Sequence, residues 1–206
     1  MFLLSTQVAS SSMHEKIQTY FDACYAALED KIRASLFAHD NEIYGELYYY
    51  SVVKLLSNLT INPCDHFLDI GSGLGKLVFQ VFLTTPAKAV TGIEINAARH
   101  EIAQNLKDTI LHFQDNPFTA LRSLNIIQGD FLKQDWTNVT IVYVCSTVFS
   151  YALLEAMGQK INNMQTVHTV VSLRKLADLL NFRLKKKIFL QGTWDKTVCY
   201  IYERKV

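Results

Sequence analysis

Only three prolines and eight glycines occur in 206 residues. That scarcity excludes a low-complexity, disordered or collagen-like chain. Charge of one sign is lacking too, because 20 Lys and Arg stand against 19 Asp and Glu, a formal net charge of +1. Such a balance gives no global field for a nucleic-acid backbone or a membrane surface, so strong nucleic-acid binding and membrane attachment are not expected. No apolar run approaches the roughly 18–20 residues that span a bilayer. The start, Met1-Phe2-Leu3-Leu4-Ser5, has no basic residue before its apolar stretch and soon meets Ser12 and His14, so it reads as a terminal segment. Cys24, Cys64, Cys145 and Cys199 form no CxxC and no zinc spacing. They read as reduced, mostly buried thiols, which suits a cytoplasmic location. The six histidines make no HxH or HExxH set, and no metal is expected.

What is present is core material: half of the chain is hydrophobic and 12% is aromatic. A chain this long buries a sizeable core without disulfides or metals. Residues 14–36 carry Ile17, Tyr20, Phe21, Cys24, Ala27, Leu28, Ile32 and Leu36 at helical spacing. A second helix is predicted over about 46–58, with 41–46 as a loop between them. Residues 1–60 thus form a helical cover. From 61 to 206 the pattern alternates strand and helix. Strands are predicted at 66–70, 89–94, 124–128, 139–144 and 166–173, and helices at 74–83, from Asn96 through Phe113, and at 153–164. Residues 174–183 read as a short helix or an irregular crossover. The segments 184–194 and 197–203 read as a hairpin. Parallel βαβ units followed by an antiparallel hairpin make an α/β, Rossmann-like, mostly parallel seven-stranded sheet.

The strongest motif is Phe67-Leu68-Asp69-Ile70-Gly71-Ser72-Gly73-Leu74-Gly75, a glycine-rich turn between a strand and a helix. Its glycines allow a sharp turn and close approach of backbone to ligand. Lys76 stands where a dinucleotide fingerprint has its third glycine, which disfavours a nicotinamide-dinucleotide site, as does the hairpin. Glu94 ends the next strand, placed to take ribose hydroxyls. Asp69 precedes the turn, where an acidic group suits the amino group of S-adenosyl-L-methionine better than a pyrophosphate. Gly129-Asp130-Phe131 follows the third strand at the ligand-binding edge. Asp130 can accept from an adenine amino group and Phe131 can pack on the ring; a turn cap is the plainer role for Asp130.

Taken in order, Tyr44-Gly45-Glu46, Phe67–Val81, Gly92-Ile93-Glu94, Gly129-Asp130-Phe131-Leu132, Ala156–Met164, Val170-Val171-Ser172, Gly192-Thr193-Trp194 and Val198-Cys199-Tyr200 resemble the disruptor-of-telomeric-silencing (Dot) family. These are non-SET histone-lysine methyltransferases of the class I fold. The resemblance covers about residues 41–203, and its Tyr-Gly-Glu loop and Trp…Tyr hairpin are its most specific parts. It implies an S-adenosyl-L-methionine-dependent methyltransferase acting on a lysine of a protein substrate. It implies a Tyr44-Gly45-Glu46 loop over the methionine end of the cofactor, with Asp69, Gly71 and Gly73 bounding its amino acid and sugar. Glu94 would hold the ribose, and Asp130 and Phe131 the adenine. Tyr44, Trp194 and Tyr200 would wall the lysine channel. Phe149 is a further candidate for that wall, although core packing is the reading we favour for it. One departure stands out: Cys145-Ser146-Thr147 occupies the place of the family's Asn-Asn-Phe. Two alternatives therefore stay open, a methyltransferase for a small molecule or other nucleophile, and a catalytically weak cofactor-binding module. Lys185-Lys186-Lys187 reads as a solvated sheet edge, and Cys145 as a structural thiol.

Overall fold

The computed structural model describes residues 10–37, 44–118, 121–177 and 179–205. The predicted loop at 41–46 is thus described only from Tyr44 onward, and the first nine residues lie outside the described set. Among the described residues, seven strands form one sheet in the order β3-β2-β1-β4-β5-β7-β6. They are β1 His66–Ile70, β2 Ala89–Glu94, β3 Ser123–Gln128, β4 Ile141–Val144, β5 Thr169–Ser172, β6 Phe182–Gln191 and β7 Lys196–Arg204. β1 to β5 are parallel neighbours, and β7 runs antiparallel to both β5 and β6.

Apolar residues on both sides of the central strands explain the two cores. Phe67, Val90 and Leu124 face one core with Val78, Phe79 and Leu106, while Leu68, Ile70 and Val142 face another with Met157 and Ile161. Strands covered on both faces read as near-continuous apolar runs, and all four residues of β4 are buried. The helices are α1 Ser11–Ala26, α2 Glu29–Phe37, α3 Tyr49–Leu56, α4 Lys76–Thr84, α5 Ala97–Leu111 and α6 Tyr151–Asn163. None of them is long and apolar enough to cross a membrane. The predicted single helix over 14–36 is two helices. Glu29 and Asp30 sit in the first turn of α2, where carboxylates favour a fresh helix start. Residues 174–177 and 179–181 are irregular. The cover is continuous with the sheet: Ile17, Phe21, Val52 and Leu55 share the core of Phe67 and Ile201. Lys185, Lys186 and Lys187 do lie on the edge strand β6. All four cysteines are free; Cys199 alone is fully buried, Cys24 and Cys145 are half-buried, and Cys64 sits in an exposed turn before β1, so the expectation of mostly buried thiols fails at Cys64.

At the N-terminal edge of the sheet, buried Asp65 ties three segments together. It accepts from Asn62 N at 2.6 Å, Thr140 Oγ1 at 2.8 Å and His168 Nε2 at 3.0 Å. Burial raises this carboxyl, but the bonds from His168, Asn62 and Thr140 outweigh it and hold it below its ordinary range. A depressed carboxylate contributes stability above its unfolded value of about 3.9 and loses it as pH falls toward the folded value. Asp65→Ala is therefore expected to cost about 1–3 kcal/mol near neutrality and to flatten acid unfolding below about pH 4, measured by urea titration across pH. An unchanged acid limb would remove Asp65 from this role.

Candidate active site

The strand order changes direction between β1 and β4, and the ligand-binding crevice of such sheets opens above those carboxyl ends. There the chain turns through Gly71, Gly73 and Gly75 at φ of 74°, 55° and 82°, values that L side chains rarely adopt. Gly71 N and Ser72 N donate to Ile93 O at 2.9 and 3.0 Å, fastening the turn to β2. Glu94 then acts as the hub. Its Oε2 accepts from Gly73 N and its Oε1 from Asn96 N, both at 2.8 Å. Its carbonyl accepts from Gly129 N at 2.9 Å, joining the third loop. Three segments named in the sequence thus meet on one residue.

Two adjoining cavities open here. The larger, of about 630 Å³, is lined by Gly71, Gly73, Glu94, Asp130, Phe131 and Phe149 among others. That volume lies within the usual range for small-molecule sites. The smaller, of about 60 Å³, has Glu46, Asp69, Lys76, Gln80, Tyr143 and Cys145 in its wall. Tyr44, Gly45, Gly71, Gly73 and Cys145 border both.

Asp69 is 3% exposed, and its Oδ1 has no hydrogen-bond partner among the described residues. Burial, with Glu94 nearby, pushes this carboxyl up to about 8. Between about pH 4 and 8 the folded chain holds a proton that the unfolded chain has released, so ligand-free stability falls as pH rises through that range. Melting temperatures at about pH 5 and 8 should show the fall in the wild type and its loss in Asp69→Asn; the same slope in both would contradict it. Asp130 Oδ1 accepts from Leu132 N at 2.9 Å, so the turn-capping role holds, and the residue borders the larger cavity as well. Phe131 lies parallel to Phe149, ring centres 5.8 Å apart.

The Tyr44-Gly45-Glu46 loop is closed over the glycine turn. Tyr44 O–H donates to Glu46 Oε1, and Lys76 Nζ pairs with Glu46 Oε2 at 2.5 Å. Burial and Glu46 together hold the Tyr44 hydroxyl well above its ordinary value. The Tyr44 ring packs on Gly73, and the Arg99 guanidinium lies 5.0 Å from its centre. From α1, Tyr25 O–H donates to Leu74 O at 2.9 Å, and its ring lies under Lys76. The loop is also fastened to the β6–β7 turn. Thr193 N donates to Glu46 O at 2.8 Å, Glu46 N to Thr193 Oγ1 at 3.1 Å, and Leu47 bridges Gly192.

Of the residues predicted from sequence, Tyr44, Glu46, Asp69, Gly71, Gly73, Glu94, Asp130 and Phe131 come together around the two cavities. Trp194 and Tyr200 do not border them. The Trp194 ring fits the space that the absent side chains of Gly45 and Gly192 leave open, and it is 39% exposed. Tyr200 pairs with Ser172 of β5 and stacks beside Tyr202, with Lys187 over its ring. Phe149 packs against the core of Leu68 and Val142, as expected, and also borders the larger cavity. Arg99, Gln80 and Tyr143 were not singled out by sequence. Arg99 lies on the buried side of α5 with Ile102 and Leu106, but a charged residue gives no apolar signal there. Cys145 borders both cavities, and burial pushes its thiol up to about 11, which suits an inert thiol.

The strand order, the antiparallel hairpin and the cavity above β1 and β4 define a class I S-adenosylmethionine-dependent methyltransferase fold. Solved structures of the same fold include an RNA methyltransferase from Salinibacter ruber in complex with S-adenosyl-L-homocysteine. It has 18% identity and a TM-score of 0.57, over 77% of this chain and 93% of that one. TrmK of M. capricolum, in complex with the same molecule, has 16% identity and a TM-score of 0.54, over 78% and 70%. The family described as Histone methylation protein DOT1 matches residues 28–190, and the chain belongs to that family. Two curated relatives carry the name histone-lysine N-methyltransferase, H3 lysine-79 specific. The Drosophila melanogaster protein is 27% identical over 147 residues, and the Caenorhabditis elegans protein 26% over 150. These matches cover 69% and 70% of this chain but only 8% and 16% of the relatives.

Proposed function

We propose that this chain binds S-adenosyl-L-methionine and methylates a lysine amine of a protein substrate. One observation carries the cofactor: a buried carboxyl, Asp69, with an unpartnered oxygen at the cavity wall. An orphaned buried acceptor is costly unless a donor fills it, and the cofactor's ammonium is such a donor. The other residues fit the remaining parts. Glu94 faces the cavity as a hydroxyl acceptor, Asp130 can take an amino group, and Phe131 and Phe149 offer flat apolar surface. When bound, the cofactor supplies an electrophilic methyl on a cationic sulfur.

The protein's own work is to enclose and align. Tyr44, held by Glu46 and packed on Gly73, closes the site and excludes water. A lysine is mostly protonated at neutral pH; an apolar aromatic surface disfavours the ammonium and exposes the amine lone pair. Tyr44 and Phe149 supply that surface, and Trp194 supports the loop from behind. The names of the curated relatives and the family membership support a protein lysine as substrate. Free thiols, one of them exposed at Cys64, suit a reducing compartment, and on that ground we propose the cytoplasm, with the nucleus or delivery into a host cell as the alternatives. A second reading, a small-molecule methyltransferase, is favoured by Cys145 and Thr147 at the cavity wall, which offer no side-chain amide to position a lysine.

The test is incubation with methyl-labelled cofactor plus a cell lysate, and separately with histone H3. Label on protein lysine, located by mass spectrometry, is the expected result. Label confined to the metabolite fraction would establish the second reading instead. No label anywhere, with cofactor bound, would overturn both.

A further inference from the structure

We infer that Arg174 is the positioning residue for the cavity wall that follows β4. The inference rests on the methyl-transfer reading above. Cys145, Thr147, Val148 and Phe149 border the larger cavity, yet the backbone that carries them has only a single 3₁₀ turn, Ser146–Val148. One such turn cannot hold itself in place.

What holds it comes from the exit of β5. Ser146 and Ser172 are both fully buried, their hydroxyls 2.8 Å apart. Arg174 N donates to Ser146 Oγ at 3.1 Å and lies 3.3 Å from Ser172 Oγ. The guanidinium then reaches the far end of the turn: Nη1 donates to Phe149 O at 2.5 Å and to Ser146 O at 3.4 Å. The Tyr151 ring lies 5.0 Å from the guanidinium carbon. Backbone and side chain of one residue thereby grip both ends of the wall. The turn has one inward anchor, Ser146, and the residues on either side of it, Cys145 and Thr147, border the cavity. Phe149 is fixed through its own carbonyl, with its ring parallel to Phe131 and 3.5 Å from where a β-carbon on Gly71 would stand. Arg174 does not border the cavity, so it acts through this wall. A rigid guanidinium fork suits the task, and a lysine amine on a flexible stem would hold it less well.

Two variants and two readouts test this. S-adenosyl-L-homocysteine is titrated calorimetrically into wild type, Arg174→Ala and Arg174→Lys, and hydrogen exchange is followed in the peptide spanning residues 145–151. Arg174→Ala should bind about tenfold more weakly, the size expected for losing a charged hydrogen bond. Its 145–151 amides should exchange faster, and low-millimolar guanidinium should restore part of the affinity. Arg174→Lys should fall between the two. Should Arg174→Ala fail to fold, Arg174→Lys decides: weakened binding with an unchanged melting temperature supports the clamp, and wild-type affinity overturns it. Affinity in Arg174→Ala within twofold of wild type, or unchanged exchange, overturns it too. A wild type that does not bind S-adenosyl-L-homocysteine at all would instead sink the methyl-transfer reading, while the exchange data still report on the clamp.

Discussion

Glu94→Ala is expected to weaken binding of S-adenosyl-L-homocysteine by about a hundredfold or more. Two losses combine. The first is the carboxylate offered to the ligand hydroxyls; hydrogen bonds to a charged group contribute about 1.5–3 kcal/mol each. The second is internal, because Gly73 N and Asn96 N both donate to this side chain and Glu94 is 5% exposed. Without it two backbone donors lose their acceptor, and the glycine turn loses its tie to the end of β2. The variant should therefore melt earlier as well as bind weakly. Calorimetric titration with a melting curve on the same sample reads both. Affinity within threefold of wild type would mean that Glu94 faces the cavity without serving the ligand.

Gly73→Ala is the second large effect, and its cause is conformational. The residue sits at φ 55°, where an L side chain costs about 1–2 kcal/mol. Its β-carbon would lie 2.7 Å from Tyr44 Cε2, so the tyrosine must leave its place. With it would go the bond from Tyr44 to Glu46 and the packing under Arg99. Binding should fall by about thirty- to a hundredfold, the equivalent of roughly 2–3 kcal/mol. The cause can be isolated in a double-mutant cycle with Tyr44→Ala. Once the ring is gone, Gly73→Ala should cost only the backbone strain, so the two changes should be non-additive by about 1 kcal/mol or more. Strict additivity would show that the Tyr44 loop does not close on the glycine turn in solution.

What the sequence made legible was whatever depends on local spacing. The glycine turn, Glu94 at the end of the following strand and Asp130 after the third strand lie close to their elements' ends, and the fold carries them to one edge. The hairpin was legible because two β-rich segments flank a short turn. The break at Ala27–Leu28 was not, since apolar spacing runs on through it. Long-range contacts were beyond reach. Nothing local says that Glu46 will meet Thr193, or that Lys76, noted only as an oddity of the motif, will pair with Glu46. Trp194 and Tyr200 show the limit most clearly. The family resemblance marked them, and neither borders the two cavities; a strand or turn side chain faces where register puts it. Gly45 and Gly192 leave the room in which the Trp194 ring sits. Phe149 packs against the core, as its apolar character suggested, and its place on the larger cavity as well was not legible.

Titration of S-adenosyl-L-homocysteine into the purified chain, with NAD run in parallel, tests the central claim most directly. The geometry of Asp69, Glu94, Asp130 and Phe131 predicts saturable one-to-one binding of S-adenosyl-L-homocysteine with micromolar or tighter affinity, and no comparable binding of NAD. Absence of binding to S-adenosyl-L-homocysteine, or tighter binding of NAD, would contradict it.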